Sequence, residues 1–303
     1  MGANSNRRWS GLVRAFWTRI SELDLTVAPH PVLSSMPGYQ TKQERIAIAG
    51  ADDLIIRSLL DRRQYFDPLG EADRLGISSA EWPLFGLLWP SGVQLAARMA
   101  LRPIRRDERI LEIGCGLALA SLVTHRLGGD VTASDCHPLA ETFLNQNLHL
   151  NRLEPLKYWH AHWGERELPL SQARCTIQAQ YDLVIGSDLL YEADATPCLA
   201  AFIARHSAPL GEVWIIDPDR GNRTAFNRQM GVHGFLMREE RFDAAASAGV
   251  AACKGRLLVY RRAAAVFAFE APGTAFMGWR AAGNSNDPVA LERAAEVRLR
   301  RSA

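Results

Sequence analysis

Arg109-Ile-Leu-Glu-Ile-Gly-Cys-Gly-Leu-Ala-Leu-Ala-Ser121, followed by Val131-Thr-Ala-Ser-Asp135, decides the fold. The apolar run Ile110, Leu111, Ile113 is short and bounded by Gly114 and Gly116, which suits a buried parallel strand ending in a tight turn. Leu119, Leu122, Val123 and Leu127 then recur at helical spacing, Gly128-Gly129 stop that helix, and a second strand runs from Val131 to Ser134. The result is a βαβ unit. Its glycines let the backbone approach a ligand, and an acid ending the second strand, here Asp135, can grip both hydroxyls of a ribose. The dinucleotide fingerprint is not met, because Leu119 stands where the third glycine belongs.

Working outward, strand and helix alternate as a doubly wound sheet requires. Pro138 opens a helix to about Leu150, Lys157 to Trp163 reads as the third strand, and Tyr181 to Ser187 as the fourth. Thr196-Pro197 starts a helix, Glu212 to Asp217 is the fifth strand, and Asn222 to Gly234 is another helix. Phe235 to Phe242 and Gly255 to Tyr260 close the sheet as an antiparallel pair. The expected fold class is α/β, a doubly wound, mostly parallel sheet of seven strands with a terminal antiparallel strand.

Upstream of this core, Ile46 to Ala49 and Leu54 to Ile56 form a hairpin signal. The aromatic stretch Trp82-Pro-Leu-Phe-Gly-Leu-Leu-Trp-Pro-Ser-Gly92 follows, with Ser91 placed to cap a helix to about Leu101. This stretch either walls a ligand pocket or packs as an entrance loop, and Trp82 and Phe85 suit packing better. Residues 1–40 read as an appendage, 41–108 as hairpin and entrance segment, 109–262 as the core and 263–303 as a tail. Within the appendage, Trp9, Leu12, Val13, Phe16, Trp17 and Ile20 share one helical face beside Arg7, Arg8, Arg14 and Arg19. That pattern suits a membrane-surface helix or an organelle presequence, and equally a helix docked on its own domain. Asp287-Pro288 can cap a terminal helix from Val289 to Arg301.

The 303 residues, 48% hydrophobic and 22% charged, have the composition of a soluble globular protein. A net charge of +2 implies no global pull toward nucleic acid or membrane. Five cysteines without a Cys-x-x-Cys pair, and eight histidines without a ligand cluster, call for no metal. The expected setting is cytoplasmic with reduced thiols, or an organelle matrix if the basic N-terminal helix is a presequence.

Motif by motif, the chain from about Gln43 to Arg262 resembles the seven-strand, Rossmann-like methyltransferases that use S-adenosylmethionine. Within them it resembles the lysine-directed group that includes nicotinamide N-methylase-like proteins. The resemblance rests on Leu88-Trp-Pro-Ser-Gly92, Leu111-Glu-Ile-Gly-Cys-Gly116, Ala133-Ser-Asp135, His162-Trp-Gly164 and Ser187-Asp-Leu-Leu-Tyr191. It implies that Glu112 pairs the ammonium of the cofactor's amino-acid end. It also implies a cofactor site built from Trp89, Gly114, Cys115, Gly116, Asp135, Trp163 and Ser187, with Trp163 stacked on or flanking the adenine and Trp89 either at the methionine end or packed in the core. Relatives often carry Asp where this chain has His162, which can accept a hydrogen bond through one neutral ring nitrogen.

Base- and glutamine-directed relatives carry Asn/Asp-Pro-Pro-Tyr/Phe after the fourth strand, whereas this chain has Asp188-Leu-Leu-Tyr191, the Asp-x-x-Tyr of the lysine-directed group. The resemblance therefore implies that Asp188 faces the incoming amine and Tyr191 lies beside cofactor or target, these two carrying catalysis. Read without it, Asp188 is a helix N-cap, and Asp217-Pro-Asp-Arg220, on the carboxyl edge after the fifth strand, either shapes the substrate mouth or holds Asp219 and Arg220 paired in a turn. The implied activity is methylation of a protein lysine. A small-molecule N-methyltransferase and a cofactor-binding interaction module are the alternatives, and no nucleic-acid partner is expected.

Overall fold

The computed structural model describes residues 38–163, 179–247 and 249–263, and the backbone of Arg280–Ala281. The helices expected at Trp9 to Ile20 and Val289 to Arg301 lie outside the described residues.

Thr41–Ile46 (β1) and Leu54–Leu59 (β2) form the antiparallel hairpin. A short helix, Glu71–Arg74 (α1), and a 3-10 turn, Trp82–Gly86, lead to helix Pro90–Leu101 (α2). Then come Arg109–Ile113 (β3), Leu119–Arg126 (α3), Asp130–Asp135 (β4), Ala140–Leu150 (α4), Lys157–His160 (β5) and Tyr181–Ser187 (β6). Thr196–His206 (α5), Ser207–Asp217 (β7), Arg223–Val232 (α6), Phe235–Ala244 (β8) and Cys253–Arg262 (β9) complete the core, and Arg280–Ala281 (β10) adds a short edge.

Among the described residues the main sheet runs β5-β4-β3-β6-β7-β9-β8-β10. The seven expected strands are present, and β9 enters between β7 and β8, antiparallel to both. The eighth, β10, is antiparallel to β8 and lies in the segment read from sequence as a tail. Two residues without apolar alternation carry no strand signal, so only the pairing reveals them.

Residues alternate between two buried layers, as a sheet covered on both faces requires. Ile110, Leu183 and Ile185 pack with Leu95, Leu122 and Phe143 of α2, α3 and α4, while Leu111, Ile113 and Val184 pack with Leu199, Phe202 and Phe226 of α5 and α6. Sheet order reverses at β3, whose neighbours are β4 and β6. Such a switch point opens a crevice at the carboxyl ends of the strands.

The hairpin is tied to this core through side chains. Asn147 accepts from the Arg57 amide at 2.7 Å and donates to its carbonyl at 3.3 Å; Asn151 does the same for Ile55 at 2.9 and 2.8 Å. Two amide side chains, one on α4 and one at its C-cap, thus satisfy the outer edge of β2, as a neighbouring strand would.

Candidate functional site

Every site residue named from the sequence lines one cavity of about 520 Å³ at the carboxyl ends of β3, β4 and β6. Its size suits a nucleotide-sized ligand.

The floor is the turn after β3. Gly114 and Gly116 have φ of 56° and 50°, in the left-handed region. A Cβ on Gly116 would lie 2.8 Å from the Phe85 carbonyl oxygen, and one on Gly114 would lie 2.6 Å from Leu189 Cδ2. Backbone direction and close approach both demand glycine here. Gly116→Ala should therefore destabilise the fold by about 2–4 kcal/mol, combining backbone strain with overpacking. An unchanged urea midpoint would show that this turn relaxes freely. Between the glycines, Cys115 is buried and its amide donates to the Ser134 carbonyl at 2.9 Å, locking the turn onto β4.

Glu112 shares the Ile110 side of β3, under the first turn of α3, where Ser121 donates to it through its amide at 2.8 Å and its hydroxyl at 2.5 Å. Only 3% exposed, its carboxyl is pushed up to about 7 by burial. Asp135, buried at the end of β4, accepts from the amides of Gly116 at 2.8 Å and His137 at 2.9 Å, one on each oxygen. Burial raises its pKa as well. A carboxylate has about four acceptor positions, so two stay open for ligand hydroxyls. Behind it the His137 ring stacks on Phe85 at 3.6 Å and 10°, and burial pushes that imidazole down to about 3. Phe85 lines the cavity while Trp82 is packed at 1% exposure, so the aromatic stretch both walls and packs.

Trp163 stands over Gly114, its ring 3.3 Å from where a Cβ would be, with His162 beside it in the wall. Trp89 donates its indole N–H to the Leu84 carbonyl at 2.9 Å. The guanidinium carbons of Arg62 and Arg220 lie 5.4 and 6.0 Å from its ring centre.

Two sequence readings are corrected at the far wall, and an open one is decided. Ser91 does not cap α2: Trp89 holds the N-cap position without a side-chain cap, and the Ser91 hydroxyl donates to Asp188 Oδ2 at 2.9 Å. Asp188 is no helix cap either, since Ala195 precedes α5. Asp188 has φ 61°, its amide bonds the Ile216 carbonyl at 2.9 Å, and its side chain is turned toward Ser91 and Arg220. Finally, of the two readings of the turn after β7, Arg220 follows the first: it lines the cavity and does not pair with Asp219. Its Nε donates to Asp188 Oδ1 at 2.5 Å, while Asp219 is held by Arg223 and Arg256.

Ser187 lines the cavity at the end of β6, within 3.5 Å of where a Gly92 Cβ would sit. Tyr191 is half-exposed at the mouth, and burial, reinforced by Cys136 and Glu192, raises its phenol above the ordinary value. It is therefore a hydroxyl donor at neutral pH.

Sequence reasoning missed Ser121, Arg62 and the pairing of Arg220. Ser121 had a readable signal, a polar residue in the first turn of the helix that follows the glycine turn. Arg62 had none.

Residues 85–224 match the family described as Lysine methyltransferase. Protein N-lysine methyltransferase METTL21A of Danio rerio is 30% identical over 129 residues, 40% of this chain and 56% of the relative. The electron transfer flavoprotein beta subunit lysine methyltransferase of Xenopus laevis is 28% identical over 141 residues, 46% of this chain and 53% of the relative. The calmodulin-lysine N-methyltransferase of Arabidopsis thaliana is 23% identical over 210 residues, 64% and 66% of the two chains. The alignments thus span about half to two thirds of these relatives.

Proposed function

We propose that this chain, whose residues 85–224 carry the lysine methyltransferase pattern, transfers a methyl group from S-adenosylmethionine to a lysine side chain of a protein. The observation that supports this most is convergence: Asp188 and Tyr191 meet the glycine turn, Glu112 and Asp135 around one cavity.

The residues fit the cofactor. Asp135 has acceptor positions for two ribose hydroxyls, and Glu112 is a buried carboxyl suited to the amino-acid end's ammonium. The glycine turn lets the chain pass close, and Trp163 and His162 offer a flat, polar-edged wall to the adenine. When bound, the cofactor supplies an electrophilic methyl group on a sulfonium.

What the protein adds is chiefly alignment. Lysine has a pKa of about 10.4, so presenting its neutral amine at pH 7 costs about 4–5 kcal/mol. Asp188 orients the amine by accepting a hydrogen bond, and the protonated Tyr191 hydroxyl closes the mouth beside it. A reducing compartment such as the cytoplasm is the proposed setting.

Glu112 makes binding pH-dependent. Its folded value of about 7 stands above the ordinary 4.5, so the folded chain holds this proton more tightly than the unfolded one. That contribution to stability is complete below pH 4.5 and is lost as pH rises to 7. Pairing with an ammonium favours the ionised form, so cofactor affinity should rise with pH up to 7, and binding at pH 6 should release a proton. Calorimetry at pH 6 in two buffers of different ionisation enthalpy should detect that release in the wild type and not in Glu112→Gln. Equal proton release in both would move the ammonium contact elsewhere.

The function itself is tested by incubating purified protein with methyl-tritiated S-adenosylmethionine and a cell extract, then resolving the mixture on a gel. A labelled protein band is expected. Label confined to small molecules would replace the protein substrate with a small amine.

A further inference from the structure

A lone carboxylate beside a target amine is a poor device for methyl transfer, because it stabilises the ammonium and withholds the lone pair. In this chain the carboxylate is not alone. Arg220 Nε donates to Asp188 Oδ1 at 2.5 Å, its Nη2 pairs with the same oxygen, and Ser91 Oγ donates to Oδ2 at 2.9 Å. Arg220 reaches in from the turn after β7, and its guanidinium also lies against Trp89. Asp219, its neighbour in sequence, is occupied by Arg223 and by Arg256 at 2.6 Å, so the pairing with Asp188 is selective.

We infer that Arg220 is a positioning residue for the transfer proposed above: by neutralising Asp188 it lets that carboxylate orient the target amine without holding it as an ammonium. This rests on the reading of the chain as a lysine methyltransferase. Asp188 then accepts one hydrogen bond from a neutral amine, whose ammonium proton leaves to solvent through the mouth before the lone pair attacks; the N–C bond forms as the C–S bond to the sulfonium breaks, with that electron pair left on sulfur as a thioether.

Other charges face the pair. Arg62, Glu81, Tyr191 and Glu192 line the same cavity, while Asp217 and Cys253 act on it from β7 and β9. Glu192 is raised to about 7 by its hydrogen bond with Glu81, and Asp217 to about 6 by burial, so both titrate below the alkaline range in which lysine does. Tyr191 and Cys253 are raised, and Arg62 carries the same sign as Arg220. The range from pH 7.5 to 10 therefore lies above both carboxyls, and the comparison of variants cancels what the thiol contributes to each.

The test is the initial rate of tritium transfer into the labelled extract protein across that range, for wild type, Arg220→Gln and Arg220→Lys. Removing a cation a few ångströms from the amine should move the alkaline midpoint up by about one unit or more. Arg220→Gln should thus lose at least about tenfold at pH 7.5 and recover much of it by pH 10, while Arg220→Lys keeps a midpoint near the wild type's. A loss by the same factor at every pH would make Arg220 structural and overturn the inference. Wild-type protein that labels no lysine would overturn the functional reading itself, and is seen before any variant is compared. The Arg220 side chain is 35% exposed on its turn, so its removal should spare the fold; melting and cofactor affinity report this directly. Arg220→His, neutral above about pH 8, repeats the test should Arg220→Gln unfold.

Discussion

Asp188→Ala should reduce methyl transfer by at least about 100-fold while leaving cofactor affinity within about threefold of wild type. The residue follows β6 directly in a left-handed conformation, and its carboxylate joins Ser91 of α2 to Arg220 after β7 across the cavity wall. Alanine removes the acceptor proposed to orient the amine and frees Arg220 from its carboxylate partner. Misplacing a reacting group by about 1 Å is enough for a loss of this size. The cofactor contacts assigned to Asp135, Glu112 and the glycine turn are untouched, which is why binding should survive. Single-turnover rates and calorimetry on one preparation separate the two quantities. Retained turnover would reduce Asp188 to a strut between strands.

Asp135→Ala should act on the other term, weakening S-adenosylmethionine binding by at least about 100-fold. Hydrogen bonds to a charged group contribute about 1.5–3 kcal/mol each, and tenfold in affinity is about 1.4 kcal/mol, so losing two hydroxyl contacts reaches that figure or exceeds it. The substitution also strands the amides of Gly116 and His137, which the carboxylate holds at 2.8 and 2.9 Å. Asp135→Asn keeps one acceptor oxygen and should fall between. Unchanged affinity by calorimetry would leave Asp135 as a scaffold for the turn alone.

The central sheet was readable because its strands are apolar runs ended by glycine or acid, a signal that depends on local chemistry. Ile110 to Ile113 and Tyr181 to Ser187 were bounded closely from the sequence, and the hairpin was found with its ends displaced by a few residues. β7 begins at Ser207, five residues earlier than expected, because Ser207 pairs with Tyr181 ahead of a register shift, and Pro209 and Gly211 between it and Glu212 carry no strand signal. The cavity-lining residues were nameable chiefly through the motifs that carry the family resemblance, while the glycine turn and Asp135 were also legible from their places at strand ends. Their partners were not. Ser91 and Arg220 reach Asp188 from 97 and 32 residues away, and nothing in local spacing distinguishes Arg220 pairing with Asp219 from Arg220 pairing with Asp188. That choice is made by Arg223 and Arg256 occupying Asp219, a three-dimensional competition among like charges.

Hydrolysing the tritium-labelled extract protein to amino acids and identifying the labelled species tests the account most directly. Label in Nε-methylated lysine, absent when Asp188→Ala replaces the wild type, is the predicted result. Label in methylarginine, in methylglutamine or in a base-labile ester would contradict the assignment of the cavity to a lysine amine.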